Sequence, residues 1–369
     1  MNVLIASDKF KGSLTANDVC DAVKSGLLKN HPDLNIISIP MADGGEGTCE
    51  LLTHYFQGNV VSAEVTGPLF ENRYAEYGIS LDGTTAFIEM AKASGLQLLK
   101  PENRNPLYTT TLGTGELIKD ALNRGVQKIL MGIGGSSTND AGMGMAQALG
   151  VGFYDSQNNV LKPIGENLIH LHSIRTDRIH PRIKEVKFEA LCDVDNPLYG
   201  IHGAAYTFAP QKGATEKAVK LLDEGLRNFE TVIQKTFKTS ANFPGAGAGG
   251  GLPGMAKVFL NISFHRGMEY LISVTGLEEK IKQADIIITG EGKIDQQTLA
   301  GKVVMEIGRL GLKYNKKVVA IAGKCELSTD ELRAMGIMKA ISLMDSHNSE
   351  KEAITNAYHL IQEKAIMVL

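Results

Sequence analysis

No stretch of the chain comes near the roughly 18 consecutive apolar residues that a membrane-spanning helix needs, which excludes a transmembrane protein. Basic blocks of about five or more residues are also missing, and 38 Lys+Arg stand against 41 Asp+Glu for a net charge of −3. Nucleic acid is therefore a poor partner. Cysteine is scarce: Cys20, Cys49, Cys192 and Cys325 are widely scattered and form no Cys-x-x-Cys pair. That pattern argues against a zinc site or a disulfide frame and for reduced thiols in a cytoplasmic protein. The amino terminus MNVLIASDKF has a short apolar run with an aspartate soon after, and does not read as a signal peptide. A GxxxxGK[ST] loop is absent too. Gly292-Lys293, Gly301-Lys302 and Gly323-Lys324 are followed by Ile294, Val303 and Cys325, so the chain is not a P-loop ATPase. One G-x-G-x-x-G match, at Gly245, Gly247 and Gly250, follows TSANFP rather than a strand and lacks the context of a dinucleotide site.

Glycine is what the sequence has in excess. There are 40, where average usage of about 7% would give roughly 26. Most sit in short polar clusters directly after apolar runs, where tight turns and close backbone approach to a ligand need them. With 369 residues and 43% hydrophobic composition, two domains with substantial cores are the natural expectation.

The first forty residues read as one βαβ unit. NVLIAS is a strand, and Thr15 with Asp18 approximates a capping box. Val19, Ala22, Val23, Gly26 and Leu27 follow at the spacing of one helical face, and Asn30, His31 and Pro32 end the helix. NIISIP is the second strand. The layout returns at residues 284–290 (ADIIITG) and 316–323 (KKVVAIAG), whose apolar runs suit a parallel sheet covered on both faces. The expected fold is α/β with two α/β domains. A discontinuous Rossmann-like domain spans 1–65 and 285–369, a second α/β domain (66–284) is inserted, and the active site lies in the cleft between them.

In open parallel sheets ligands bind beyond the carboxyl ends of the strands. Four expected strand ends carry unusual polar loops: SDKFKGS, MADGGEGT, TGEGKID and AGKCELS. A fifth loop follows the strand VQKILMGI, in the run GGSSTNDAGMGMAQALG. The helix at its end would leave free backbone N–H groups, which with the helix dipole bind anions without a lysine. Ser136, Ser137 and Thr138 would add hydroxyl donors, whereas the bland reading is a turn with Asp140 as an N-cap. Carboxylates among glycines at strand ends hold Mg²⁺ by one or two oxygens while phosphates supply the rest. Asp43 and Glu46, Glu291 and Asp295, and Asp193 and Asp195 are such groups, and Lys11 and Lys302 would neutralise phosphoryl charge. His170 and His172 lack a third metal ligand, Cys192 lacks a partnered histidine, and Met131, Met143 and Met145 read as core.

These residues carry a resemblance. DKFKGSLTA, ADGGEGT, VTGPL, TAFIEMAKASGL, TTTLGTGELI, GIGGSSTNDAGMG, CDVDNPLYG with PQKGA, PGAGAGGG and TGEGKIDQQT occur in this order. Together they closely resemble the type I glycerate kinases of bacteria, from residue 2 to about 340. Departures are small: Lys9 stands where serine is usual, Ser137 where alanine is, Ala141 where glycine is, and Asp195 where threonine is frequent. The resemblance implies ATP-dependent phosphorylation of D-glycerate, with 2-phosphoglycerate the favoured product.

On that basis the ATP phosphates are expected over Gly134, Gly135, Ser136, Ser137, Thr138, Asn139, Gly290 and Gly292, with Mg²⁺ on Glu291 and Asp295. Asp193 is the first candidate and Asp43 the second for taking the hydroxyl proton, and Lys11 or Lys302 stabilises the developing charge. Arg73 and Arg104 are candidates for the glycerate carboxylate. The alternatives are a kinase for a related small hydroxy acid and a non-catalytic sensor of a phosphorylated acid.

Overall fold

The computed structural model of the protein describes residues 1–42, 45, 47–300, 303–344 and 350–369. Thirteen strands occur among them: β1 (Asn2–Ile5), β2 (Asn35–Ser38), β3 (Asn59–Thr66), β4 (Asn72–Ile79), β5 (Thr85–Glu89), β6 (Lys128–Gly132) and β7 (Gly152–Tyr154) in the first half. β8 (Ser173–Arg175), β9 (Lys187–Leu191), β10 (Ser263–His265), β11 (Ile286–Ile294), β12 (Lys317–Cys325) and β13 (Lys339–Ser342) follow. The chain divides into two compact units, one of Met1–Asp43 with Gly267–Leu369 and one of Gly44–Arg266.

The first unit holds a five-stranded sheet in the order β13-β12-β11-β1-β2, with every pairing parallel. Between β1 and β2 runs the helix Ala16–Asn30, opened by the expected capping box of Thr15 and Asp18. Its face of Val19, Ala22, Val23 and Leu27 is buried with Val3 and Ile5 of β1 and Ile361 of the C-terminal helix Ala357–Ala365. β1 connects to β2 on one side, and β11 lies on its other side. The chain therefore reverses direction across the sheet between β1 and β11, which is where such sheets open a crevice.

Two stretches expected as loops are largely strand. β11 runs on through Gly290, Glu291, Gly292 and Lys293, and β12 through Gly323 and Lys324, in register Glu291↔Ala322 and Lys293↔Lys324. Missing side chains permit this. A Cβ at Gly290 would sit 2.2 Å from the Ile321 carbonyl oxygen, and one at Gly323 would sit 2.4 Å from that of Gly292.

The second unit holds a six-stranded mixed sheet in the order β10-β9-β6-β5-β4-β3, and β7 pairs with β8 apart from it. β5, β6, β9 and β10 are parallel, while β3 and β4 are antiparallel additions at one edge. Residues 44–65, expected with the first domain, lie in this unit because β3 pairs with β4 along its whole length, from Asn59↔Ile79 to Thr66↔Asn72. Residues 267–284, the helices Gly267–Thr275 and Leu277–Gln283, lie with the first unit. The core of the second unit is one cluster in which Met131, Met143 and Met145 are fully buried, as their positions suggested.

Candidate functional site

Each unit carries a cavity beyond the carboxyl ends of its parallel strands. In the first unit a cavity of about 650 Å³ is bounded by the segments after β1 and by the ends of β11 and β12. Three of the four polar stretches singled out by sequence therefore line one space. Its cations are Lys9, Lys11, Lys293 and Lys324, and its carboxylates Asp8, Glu291 and Glu326. Lys293 bridges to Glu326 at 2.9 Å and Asp295 at 3.3 Å, and Lys324 to Glu326 at 2.7 Å, whereas Lys11 is exposed and has no ion-pair partner among the described residues.

The predicted metal pair is split by this geometry. Glu291 lines the cavity, buried, with one carboxylate oxygen accepting from the Thr298 hydroxyl at 2.6 Å. Asp295 does not line it: its carboxylate accepts from the Gln297 amide at 2.9 Å in a local turn and pairs with Lys293. Asp8 also lines the wall, accepting from the Lys9 amide at 2.6 Å, and was not singled out by sequence. Gly292 lines the cavity, whereas Gly290 is buried in β11 and gives its carbonyl to the Asp8 amide and the Ser7 hydroxyl. Asp43 and Lys302 lie outside the described residues, as do Glu46 and Gly301.

The second unit's cavity, about 370 Å³, opens beyond β6 and β9. Gly134, Gly135 and Ser136 come from the segment after β6, Cys192 and Asp193 from the segment after β9, and Gly45 from the fourth polar stretch. The Asp193 segment is held from several sides: the Cys192 amide donates to the His265 carbonyl, the Gly247 amide to the Asn196 carbonyl, and the Leu198 amide to the Asn242 side chain. Burial pushes the Cys192 thiol up, and its sulfur faces the Val194 and Gly245 carbonyls, so it is no activated nucleophile. Asp195 points its carboxylate at Arg266, with both oxygens accepting at 2.6–2.7 Å. Neither Arg73 nor Arg104 lines either cavity. Arg73 stands 4.0 Å from Glu71, and the Nε of Arg104 donates to the Leu99 carbonyl.

The run after β6 works differently from a helix-terminus anion site. The helix that follows is only Met143–Ala148. Its first amides are taken from within: the fully buried Asp140 carboxylate accepts from Gly142 N and Gly144 N, both at 3.2 Å, and from Thr111 N and Oγ1 at 2.9 and 2.8 Å. The Met145 amide donates to the Thr111 hydroxyl. Burial pushes the Asp140 carboxyl up while these donated hydrogen bonds pull it back. Asp140 thus caps this helix start with a side chain, and no amide of its first turn is left for a phosphate. Ser137, Thr138 and Asn139 are sealed inside. The Ser137 hydroxyl donates to the Ser94 carbonyl, and the Thr138 hydroxyl and both polar Asn139 side-chain atoms have no hydrogen-bond partner among the described residues. Of the six residues expected over the phosphates here, Gly134, Gly135 and Ser136 reach the cavity.

Sequence reasoning missed Lys212, which lines the same cavity at 2% exposure. It ends the turn Pro210–Lys212, where proline's fixed φ suits the first position, and Gly213 follows with φ +92°. A Cβ at Gly213 would lie 2.1 Å from the Arg104 carbonyl oxygen, so only glycine lets the turn close. The Lys212 ammonium donates to the Ser136 hydroxyl at 2.8 Å and the Thr138 carbonyl at 2.7 Å. Burial pulls its pKa down to about 7, with Asp140 pulling the other way. The only hint in the sequence was its place in PQKGA, a motif quoted for resemblance and given no role.

The chain is similar to known proteins across nearly its whole length. A family model described as the glycerate kinase family matches residues 3–369. A glycerate kinase of Bacillus cereus is 43% identical over 366 residues, covering 99% of this chain and 96% of that protein. A glycerate 2-kinase of Escherichia coli is 43% identical over 359 residues, 97% of this chain and 94% of its own. Among solved structures, a Salmonella typhimurium protein provisionally described as glycerate kinase 2 superposes with a TM-score of 0.90 at 40% identity, covering 100% of this chain and 97% of that one.

Proposed function

We propose that this chain, which belongs to the glycerate kinase family, transfers the terminal phosphoryl group of ATP to a hydroxyl of D-glycerate, with 2-phosphoglycerate favoured as product. The observation that carries the reading is the second unit's cavity, where an exposed carboxylate, Asp193, and a buried ammonium, Lys212, share one small space with Gly134 and Gly135. Phosphoryl transfer asks little covalent chemistry of a protein; it asks for positioning and for neutralised charge. Asp193 takes the proton from the acceptor hydroxyl as the oxygen–phosphorus bond forms, and ADP leaves.

The triphosphate belongs, on this reading, to the first unit's cavity, where Lys9, Lys11, Lys293 and Lys324 line the switch between β1 and β11. Lys11, exposed and without an ion-pair partner among the described residues, is the candidate for neutralising the charge of the transferring group. A magnesium ion would fit the carboxylates of Asp8 and Glu291 on the same wall, since Mg²⁺ commonly uses one or two protein carboxylates beside phosphate oxygens. Among the described residues no group of three or more potential metal ligands is assembled. When bound, the ion would shield the phosphates' negative charge. Such chemistry belongs where ATP is made available, in the cytoplasm, and among the described residues no helix is long and apolar enough to cross a membrane.

The test is ADP release by the purified protein with D-glycerate, glycerol and other small hydroxy acids. Release with D-glycerate and not with glycerol supports the reading. Faster release with a different hydroxy acid moves the substrate, and no release with any of them leaves a sensor of phosphorylated acids. Phosphorus NMR of the product distinguishes the 2- from the 3-phosphate. Asp193→Asn should lower kcat by about 10²- to 10⁴-fold with the fold intact, and near-normal turnover would remove Asp193 from the proton-transfer role.

A further inference from the structure

We propose that Lys212 is the cationic anchor for the carboxylate of the hydroxy-acid substrate, holding it in the second unit's cavity beside Gly134 and Asp193. The assignment rests on the kinase reading above for the identity of the acid, and on geometry for the rest. A buried ammonium is stable only with an anion and a full set of acceptors. Among the described residues Lys212 makes no ion pair and fills two of its three donors, with only the field of Asp140 favouring its charge. Two of its three N–H donors go to the Ser136 hydroxyl and the Thr138 carbonyl, both uncharged, and no carboxylate among the described residues lies within ion-pair distance. The third donor and the missing countercharge are left to whatever enters the cavity that Lys212 lines.

Charge arithmetic selects the ligand. Lys212 is the only cation among the described residues lining this wall, and Asp193 shares it. One ammonium neutralises one carboxylate, and one remaining donor suits one carboxylate oxygen. A triphosphate would bring several further negative charges toward Asp193 with nothing to offset them, whereas the first unit's cavity has four lysines for that purpose. Ser136 and Thr138 hold the ammonium in place, which lowers the entropic cost of binding a small acid.

The charged group that acts on this lysine is Asp140, whose field favours the ammonium; Asp193 is the other charged group on the cavity wall. With the cavity empty, burial leaves the lysine titrating near neutrality, at about 7. A bound carboxylate restores the countercharge and raises that value, so binding at about pH 8 should take up close to one proton.

Calorimetry of D-glycerate binding without nucleotide, at about pH 8 in two buffers of different ionisation heat, tests this directly. The wild type should bind with uptake of about half to one proton, and its affinity should fall toward tenfold per pH unit above 7. Lys212→Met should weaken D-glycerate binding by at least about 30-fold and abolish the proton uptake, while the KM for ATP stays within about threefold. Lys212→Arg, which keeps a charge that does not titrate, should recover part of the affinity with no proton uptake. A purely structural lysine would leave the proton count and the glycerate-to-ATP contrast unmoved. Equal D-glycerate affinity in wild type and Lys212→Met, binding without proton uptake in the wild type, or a rise in the ATP KM with glycerate affinity unchanged overturns the assignment. Turnover separates the two readings. A wild type that phosphorylates D-glycerate yet binds it independently of Lys212 sinks the anchor alone. A wild type that binds D-glycerate through Lys212 without ADP release sinks the kinase alone. No binding sinks both.

Discussion

Replacing Lys212 by methionine should change how the protein's stability depends on pH, in a direction opposite to that of most buried ion pairs. The unfolded chain holds this lysine's proton up to 10.5, and the folded one releases it at about 7. Because the folded value lies below the unfolded one, folding expels a proton between those limits, and stability rises with pH through the window. Below pH 7 both states are protonated, and the folded protein carries the full penalty of an ammonium buried without an ion-pair partner and only partly offset by Asp140, about 5 kcal/mol. Methionine has nearly the same length and no charge. It also strips a donor from the Ser136 hydroxyl and the Thr138 carbonyl, at about 1–3 kcal/mol each, but that cost does not vary with pH. The offset between the two proteins therefore reports lost hydrogen bonds, and the slope reports the ionisation. Guanidinium unfolding of both proteins at several pH values should show wild type gaining on Lys212→Met by about 1.4 kcal/mol per pH unit, or about 3 kcal/mol from pH 7 to about 9.5. Other titrating groups cancel in the difference. A difference that stays flat across that range would refute the claim that this lysine is buried without a countercharge.

Asp140→Asn should destabilise the protein by about 2–4 kcal/mol, since an amide nitrogen must then face one of the four donors that the carboxylate accepts. A loss under about 0.5 kcal/mol in denaturant unfolding would mean that the capping carboxylate is dispensable. Glu291→Gln should raise the KM for MgATP by on the order of tenfold or more, while Asp295→Asn, off the cavity wall, stays within about threefold; the reverse order in steady-state kinetics would restore the predicted metal pair. Gly134→Ala should leave the melting temperature unchanged, because among the described residues its Cβ meets nothing closer than the Gly45 Cα at 3.8 Å, and should weaken D-glycerate binding by on the order of tenfold as the methyl enters the cavity. Normal binding would remove this glycine from the site. Gly135 is the poorer probe: its φ of +72° and the Ala91 Cβ at 3.1 Å would strain the turn whatever it binds.

Much of the architecture was legible because it rests on local patterns. The capping box at Thr15 and Asp18, the apolar face from Val19 to Leu27 and the two-sided apolar runs that became β11 and β12 all follow from spacing alone. Which residues line the candidate cavities was legible where strand ends had to deliver residues to an edge, as with Asp193, Gly134 and Glu291. Two things stayed hidden. Polar glycine-rich stretches after apolar runs read as loops, yet TGEGKI continues a strand, because its pairing is decided by the partner strand's backbone and not by its own residues. A buried lysine looks like any other lysine in a sequence, since burial is a property of what folds over it.

The glycines show the same limit most sharply. The sequence reading puts phosphate oxygens over Gly134 and Gly135, but glycine enrichment alone does not tell such positions from the other glycines around the run after β6, and the space beside each one separates two kinds. A Cβ at Gly144 would fall 2.4 Å from the Leu112 amide nitrogen, at Gly115 2.3 Å from the Met145 carbonyl, and at Gly250 2.0 Å from the Thr138 carbonyl. These glycines exist so that backbone can lie against backbone, and they pack the Asp140 turn into the core. Gly134 differs: among the described residues a Cβ there would meet only the Gly45 Cα, at an ordinary 3.8 Å, on the cavity wall. Neighbours distant in the chain supply that distinction, which makes glycine enrichment a marker of close approach in general and of ligand approach only where the facing space is empty.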